Sequence, residues 1–430
     1  MRARFIHRFT FRSPAFVYAS SARQRIGMFT ASDLTSFRAS RAFMALTEEA
    51  KSVGASLAMR ALARDARDVG EVAAARELAH EALHVGNWKE VRTTWRAVYA
   101  AATLVWVYRG GAASAKGATR ALDEGALLGG ETFANEIRHA IARVREEWKE
   151  NERTNGEKES VRGKRARIGG TWGDVGASTE GDTTERRREV SLEAFYRDYM
   201  AKSGNEETGG EIGTPVVLEG VASHWPAVKK WRERDYILDV VGDRTVPIEV
   251  GETYVHDAWT QKLMTVREFV EEYVERARED GAPGDVGYLA QHEIFEQCPE
   301  LKRDIEEPMY CVLGTGGVNA VNAWFGPAHT VSPAHTDPHH NLLCQVVGAK
   351  RVRLFAPSET PRMYPHVESK MSNTSRVDVM RPDLNEFPEF ASAAFFDATL
   401  LPGDALYIPP GWWHHVRALD VSFSVSYWWN

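Results

Sequence analysis

The sequence predicts an α+β protein, in which an α-helical N-terminal region precedes a C-terminal domain of short strands, a β-sandwich or barrel of the jelly-roll kind. Three observations carry this. From about Ser36 to Glu150 alanine is abundant, proline is absent and apolar residues recur at spacings of three and four, the period of an amphipathic helix. After Val190 short apolar runs are punctuated by Gly and Pro, and Val421 to Tyr427 alternates Val, Ser, Phe, Ser, Val, Ser, Tyr, the two-residue period of a strand. Between these regions, residues 151–189 are rich in Gly, Thr, Glu and Arg and poor in apolar side chains, the composition of a linker or disordered segment. The expected division is therefore a disordered leader (1–35), a helical region (36–150), a linker (151–189) and a β-rich domain (190–430).

The leader carries Arg2, Arg4, Arg8, Arg12, Arg23 and Arg25 and no acid before Asp33, a composition that suits an organellar transit peptide as well as a disordered tail. In the helical region Trp88, Val91, Trp95, Val98 and Ala102 trace one apolar stripe, with breaks at Gly86-Asn87 and Gly110-Gly111. Such stripes are expected to form the region's own core. In the linker, Gly163-Lys164-Arg165-Ala166-Arg167 is a short basic cluster, readable as a nuclear import signal or as solvated charge. The expected location is thus nucleus or cytoplasm, with an organelle as the alternative. In the last region a helix over Leu192–Met200 leads to a strand at Thr214–Gly220, and a second helix is expected over Thr265–Arg278. Val346 to Val352 reads as two strands about a tight turn at Gly348-Ala349, and Ala405 to Ile408 as a strand following the turn Leu401–Asp404.

Composition excludes some functions. The 430-residue chain has a net charge of −7, which argues against a surface that coats nucleic acid. No apolar run is long enough for a membrane-spanning helix. Cys298, Cys311 and Cys344 form no CxxC pair and are expected to be reduced and packed.

The chemistry concentrates in histidines. Pro333 to Asn341 reads PAHTDPHHN, and Trp412 to Val416 reads WWHHV. In a strand, residues i and i+2 share a face, so His335 and Asp337 can reach one ion. A third ligand must come from elsewhere. In HHVRALD, His414 shares a face with Val416 and Ala418, and His415 with Arg417; the apolar face belongs inside, so His414 is the inward candidate and His415 a surface residue. Two histidines and a carboxylate on one face leave coordination positions open, as in non-heme Fe(II) oxygenases, whereas structural zinc prefers four closed ligands. His339 and His340 follow Pro338 and are expected at the rim. If the co-substrate is 2-oxoglutarate, its far carboxylate needs a buried cation. Lys350 shares a face with Val352 and Leu354, where an unpaired ammonium is costly, although it could instead snorkel out near Gly348. Ser332 and Asn341 flank the metal pair.

The segments Asn322–Pro327 (NAWFGP), Ser332–Asp337 (SPAHTD), Gly348-Ala349-Lys350 and Trp413–Leu419 (WHHVRAL) together resemble the JmjC 2-oxoglutarate oxygenases, and Pro215–Ala227 resembles the opening of their small, hydroxylase-like branch. The resemblance is strong over 190–430 and weaker over about 75–145. It implies a double-stranded β-helix with Fe(II) held by His335, Asp337 and His414. It also implies 2-oxoglutarate bound by Tyr288, Ser332, Asn341, Lys350 and Trp428, O2 as oxidant, and a substrate arginine of a protein or peptide received by Glu249, Trp259 and Trp324. An acid with aromatic walls suits a guanidinium. The expected activity is hydroxylation of an arginine side chain with release of succinate and CO2. The alternatives are demethylation of N-methyl-lysine on histones and, in another class, a catalytically silent binding module that docks through the helical region.

Overall fold

The computed structural model describes residues 29–63, 69–84, 91–159, 171–173, 176–201, 213–251, 255, 259–275, 286–367 and 371–430. The chain divides into two compact units, Met1–Arg167 with Asp243–Val246, and Ile168–Gly242 with Pro247–Asn430.

The first unit is helical: α1 (Ala31–Arg38), α2 (Arg41–Ser52), α3 (Ser56–Ala63), α4 (Val69–His84), α5 (Thr93–Tyr108), α6 (Ala115–Gly129) and α7 (Ala134–Glu159). Hydroxyl caps start several of them. Thr30 forms a capping box with Asp33, and Ser40 and Ser114 accept from the backbone N–H of Phe43 and Gly117, which satisfies donors the helix leaves open. The expected stripe is only part of the story. Val98 and Ala102 are buried, but so are Tyr99, Ala100 and Ala101 beside them, because α5 runs between α4 and α6 and packs on both. Trp95 is half-buried, Val91 precedes the helix, and Trp88 lies outside the described residues. A Cβ on Gly129 would come within 2.5 Å of the Ala100 Cβ, so that glycine sets how closely α5 and α6 approach. The Gly110-Gly111 break falls between α5 and α6 as expected, while Gly86-Asn87, residues 1–28 of the leader and the basic cluster at 163–167 lie outside the described residues. No described helix is long and apolar enough to cross a membrane.

The structure differs from the expected linker. α7 runs on to Glu159, and several residues before Val190 belong to the second unit. Trp172 is buried with its ring 5.3 Å from Phe325. Thr183 and Thr184 both donate backbone N–H bonds to the Asp397 carbonyl. β1 (Arg186–Arg188) pairs in parallel with β2 (Val216–Glu219). One tryptophan and a backbone ladder anchor this segment, and neither leaves an apolar period in the sequence.

The remaining strands are β3 (Thr245–Val250), β4 (Thr260–Thr265), β5 (Gly287–His292), β6 (Val318–Gly326), β7 (Val331–Thr336), β8 (His340–Val347), β9 (Lys350–Phe355), β10 (Phe396–Leu400), β11 (Ala405–Ile408), β12 (Trp413–Ala418) and β13 (Ser422–Trp429). They form a nine-stranded sheet in the order β1-β2-β11-β8-β13-β6-β5-β3-β4 and a four-stranded sheet in the order β10-β9-β12-β7. From β6 onward the chain alternates between the two sheets, apart from the step β9 to β10. That alternation makes a double-stranded β-helix. Val352, Leu354, Leu400 and Val416 from the smaller sheet meet Leu343, Leu406 and Ile408 from the larger. The helix expected from Thr265 begins with a Thr265–Glu268 capping box and continues to Glu275; its last expected turn lies outside the described residues. The three cysteines are buried and none is bridged.

The expected turn at Gly348-Ala349 is present, but β8 and β9 are not paired with each other; the turn carries the chain from one sheet to the other. Gly348 has φ +67°, and a Cβ there would lie 2.1 Å from the Val421 carbonyl oxygen. Both left-handed strain and a backbone clash oppose any side chain. Gly348→Ala should therefore lower stability by about 2–4 kcal/mol. An unchanged urea midpoint would show that the turn relaxes freely.

Candidate metal centre

β7 and β12 are antiparallel neighbours with His335 directly opposite His414, their rings 4.2 Å apart. β7 ends at Thr336, so Asp337 stands one residue beyond the strand instead of within it, yet it still faces the two histidines. Its carboxylate oxygens lie 4.0 Å from His335 Nε2 and 3.6 Å from His414 Nε2. His335, Asp337 and His414 are the one such cluster among the described residues, with ligand atoms all within 4.8 Å of one another. Each histidine makes a short backbone contact through its other nitrogen, His335 Nδ1 with the Pro333 carbonyl at 2.8 Å and His414 Nδ1 with the Trp412 carbonyl at 3.1 Å. Donation of Nδ1–H to these carbonyls leaves both Nε2 lone pairs for a metal. Burial and the neighbouring His335 push the His414 imidazole down to about 4, so it is neutral, the form that ligates, at neutral pH.

The inward assignment of His414 agrees with the structure, but the expectation that His415 is a surface residue does not. His415 is 4% exposed. β12 is an inner strand of its sheet, and residues 357–367 and 371–395 fold over the sheet's outer face, where Phe355, Met363, Val379, Ala393 and Trp413 form a second core. Burial pushes the His415 imidazole down to about 4. His340 opens β8 and makes a 2.8 Å contact with the Tyr407 hydroxyl, while His339 Nδ1 lies 2.6 Å from the Asn430 amide oxygen. Neither belongs to the triad's ligand cluster.

The cleft that holds the triad also takes in Tyr288, Ser332, Asn341 and Lys350. Lys350 does not snorkel. It is 1% exposed, on the same inward face as Val352 and Leu354. Among the described residues no carboxylate lies within ion-pair distance of it, and its ammonium donates to the Tyr288 hydroxyl at 3.2 Å. Burial pushes Lys350 down to about 7 and the Tyr288 phenol up. A buried ammonium without an anion is a costly arrangement that a bound carboxylate would relieve. The amide oxygen of Asn341 is likewise buried without a partner. These features fit a dicarboxylate that reaches from the triad to Lys350, and the donor set fits Fe(II).

Trp428 stands apart from the other four residues expected to bind 2-oxoglutarate. It is opposite Asn341 in the β13–β8 ladder, and its indole N–H has no partner among the described residues, but it does not line the cleft. Leu343 and Ile408, which do, were not singled out by sequence, since strand alternation alone does not say which apolar residues border a cleft.

The three residues expected to receive substrate are divided. Glu249 and Trp259 line a second cavity, where the Trp259 indole donates to the Glu249 carboxylate at 3.3 Å. Trp324 lines the first cleft and donates to the Ser426 hydroxyl at 2.9 Å. Tyr288 lines both cavities, because Glu249 is paired with Tyr288 across β3 and β5. Burial pushes the Glu249 carboxyl up to about 7, opposed by the Trp259 hydrogen bond.

Comparison with known proteins agrees with this architecture. Residues 210–430 match the cupin-like domain family, and residues 34–159 match KDM8-like N-terminal ARM repeats. The chain is 49% identical over 242 residues to "Lysine-specific demethylase 8" of Xenopus tropicalis, covering 56% of this chain and 51% of that protein. It is 46% identical over 247 residues to "Lysine-specific demethylase JMJ30" of Arabidopsis thaliana, covering 57% and 54%. It is 47% identical over 224 residues to "Jumonji C domain-containing protein 5" of Drosophila melanogaster, covering 51% and 55%. The chain spans about half the length of the curated relatives it matches. With helical repeats followed by a double-stranded β-helix that gathers His335, Asp337 and His414, the chain belongs to the JmjC branch of the cupin-like domain family.

Proposed function

We propose that this chain is an Fe(II)- and 2-oxoglutarate-dependent oxygenase that acts on a cationic side chain of a protein or peptide. The observation that carries the reading is the buried Lys350, without a carboxylate partner among the described residues, in the same cleft as an open three-ligand face. When bound, Fe(II) with 2-oxoglutarate and O2 supplies an oxidant that inserts oxygen into a C–H bond and yields succinate and CO2. The chain's own residues do the rest. His335, Asp337 and His414 hold the metal from one side. Lys350 and the Tyr288 hydroxyl hold the far carboxylate of the co-substrate, with Ser332 and Asn341 alongside. Leu343, Ile408 and Val416 give the cleft an apolar wall, which limits water around the reacting centre.

For the product, the names of the relatives support removal of a methyl group from N-methyl-lysine. This favours the demethylase alternative over the arginine hydroxylation expected from the sequence, and it brings nuclear action with it. Arginine hydroxylation remains as a second reading because of one observation, the Glu249 carboxylate beside the Trp259 indole in the adjoining cavity. A bound cation would draw that carboxyl into its charged form, and a guanidinium can also stack on the indole. Peptide mass separates the two: about 14 Da lost per methyl group removed, or about 16 Da gained per hydroxyl added. A chain that changes neither and releases no succinate is a binding module.

Succinate release by the purified chain with Fe(II) and ascorbate should fall at least ~100-fold in His335→Ala. Wild-type turnover in that variant would remove the metal assignment. Lys350→Met should weaken 2-oxoglutarate binding by about thirty-fold or more, the effect of removing one partner of a buried charge pair. Binding requires the charged ammonium, which in the free protein is lost as pH rises through about 7. The affinity should therefore be flat below that pH and fall by up to about ten-fold per unit above it, with proton uptake seen by calorimetry in buffers of different ionisation enthalpy. Equal affinity from pH 6 to 8.5, values that bracket the Lys350 transition, would contradict this role.

A further inference from the structure

β7 bears His335 and leads directly into Asp337, and it is the last strand of the four-stranded sheet. An edge strand leaves alternate N–H and C=O groups unpaired on its outer side. Here that side is covered. Residues 364–366 and 374–376 pair with each other, through the bridge Pro365–Ser375 and the bonds from His366 N–H to the Thr374 carbonyl and from Arg376 N–H to the Tyr364 carbonyl. The second leg of this small hairpin docks on β7. His335 is bridged to Thr374, and Ser375 donates its N–H to the Ala334 carbonyl at 2.8 Å. Thr374 and Ser375 are 2% and 3% exposed, so water does not compete there.

The end of β7 is held differently. Thr336 lies between the two ligand residues, and both of its backbone groups are taken by one residue. Its N–H donates to the Asn373 carbonyl at 2.9 Å, and its carbonyl accepts from the Asn373 side-chain amide, also at 2.9 Å. The Asn373 amide thus stands in for the next link of a β-ladder at the point where the strand stops. The following carbonyl, that of Asp337, accepts from the Gly411 N–H at 2.9 Å, which ties the turn after β7 to the chain just before β12. The peptide planes on either side of Asp337 are fixed from two directions.

We infer that Asn373 is a positioning residue for the metal centre, setting the spacing between His335 and Asp337 through the backbone of Thr336. Asn373 is 36 residues or more from either ligand in sequence and touches no metal-binding atom in the hydrogen bonds described. Its effect is on how well the two ligands are pre-set before metal binds. Loosening that geometry lowers metal affinity, as the loss of groups that orient ligands does elsewhere. The inference rests on the triad being a metal site, and the test separates the two ideas.

Co(II) is the probe, titrated into the full chain and followed by its visible absorption and by calorimetry, for the wild type, His335→Ala, Asn373→Ala and Asn373→Asp. Thermal unfolding of the metal-free proteins is recorded alongside. Asn373→Asp keeps the shape but places a carboxylate oxygen where the donor was. An added negative charge near a divalent cation would by itself strengthen binding, so weaker binding in this variant reports the lost hydrogen bond. Both Asn373 variants should bind Co(II) roughly ten-fold more weakly, with an altered absorption band and little change in metal-free melting. If Asn373→Ala does not fold, Asn373→Asp decides alone. Wild-type affinity in Asn373→Asp overturns the positioning role. A wild type that fails to bind Co(II) overturns the metal reading and the inference together, whereas loss in His335→Ala with full binding in the Asn373 variants overturns the inference alone.

Discussion

The centre depends on the antiparallel register of β7 and β12, which sets His335 directly across from His414. Opposed residues in such a ladder have Cβ atoms about 5 Å apart and on the same face. Two imidazoles can therefore converge without a loop having to deliver either. Asp337 completes the set from the first residue beyond the strand, and the backbone carbonyls of Pro333 and Trp412 orient the rings. Much of the surrounding fold serves to keep that register. Two sheets pack inward on Val352, Leu354 and Val416, and residues 357–367 and 371–395 close over the outer face around Trp413.

A second constraint is the burial of charge. The fold places Lys350 on an apolar inward face, where its hydrogen-bond partner among the described residues is a phenol, and it recesses Glu249 beside an indole. Burying a lone charge is costly, and burial drives both toward neutrality, the lysine downward and the carboxyl upward. Their signs are complementary to an anionic co-substrate and a cationic side chain. Tyr288 stands between them, lining both cavities. Such a site gives up some stability to be ready for charged ligands, as functional sites commonly do.

The two-residue period in β12 separated His414 from His415, and the observed strand faces agree on His414. Parity also placed Lys350 inward. It failed for His415 because it reports only which side of a sheet a residue faces, not what covers that side; the covering segment begins more than fifty residues earlier. The helical region was legible by its three-and-four spacing, but α5 is buried on nearly all sides because neighbouring helices flank it. The segment before Val190 read as linker by composition, although Trp172 and the β1 ladder bind it to the second unit.

The sequence by itself determined the helical and the strand-rich region, the candidate triad of His335, Asp337 and His414 and the inward lysine, since all of these follow from local periodicity and from short motifs. Only the tertiary structure decided that Glu249 and Trp259 occupy a cavity apart from Trp324, that Trp428 stands outside the cleft, and that Asn373 grips the backbone between two ligands. The physical reason is range. Alternation along a strand fixes a side chain's direction within a few residues, whereas cavity walls and edge clamps are made by segments that meet only when the sheets close.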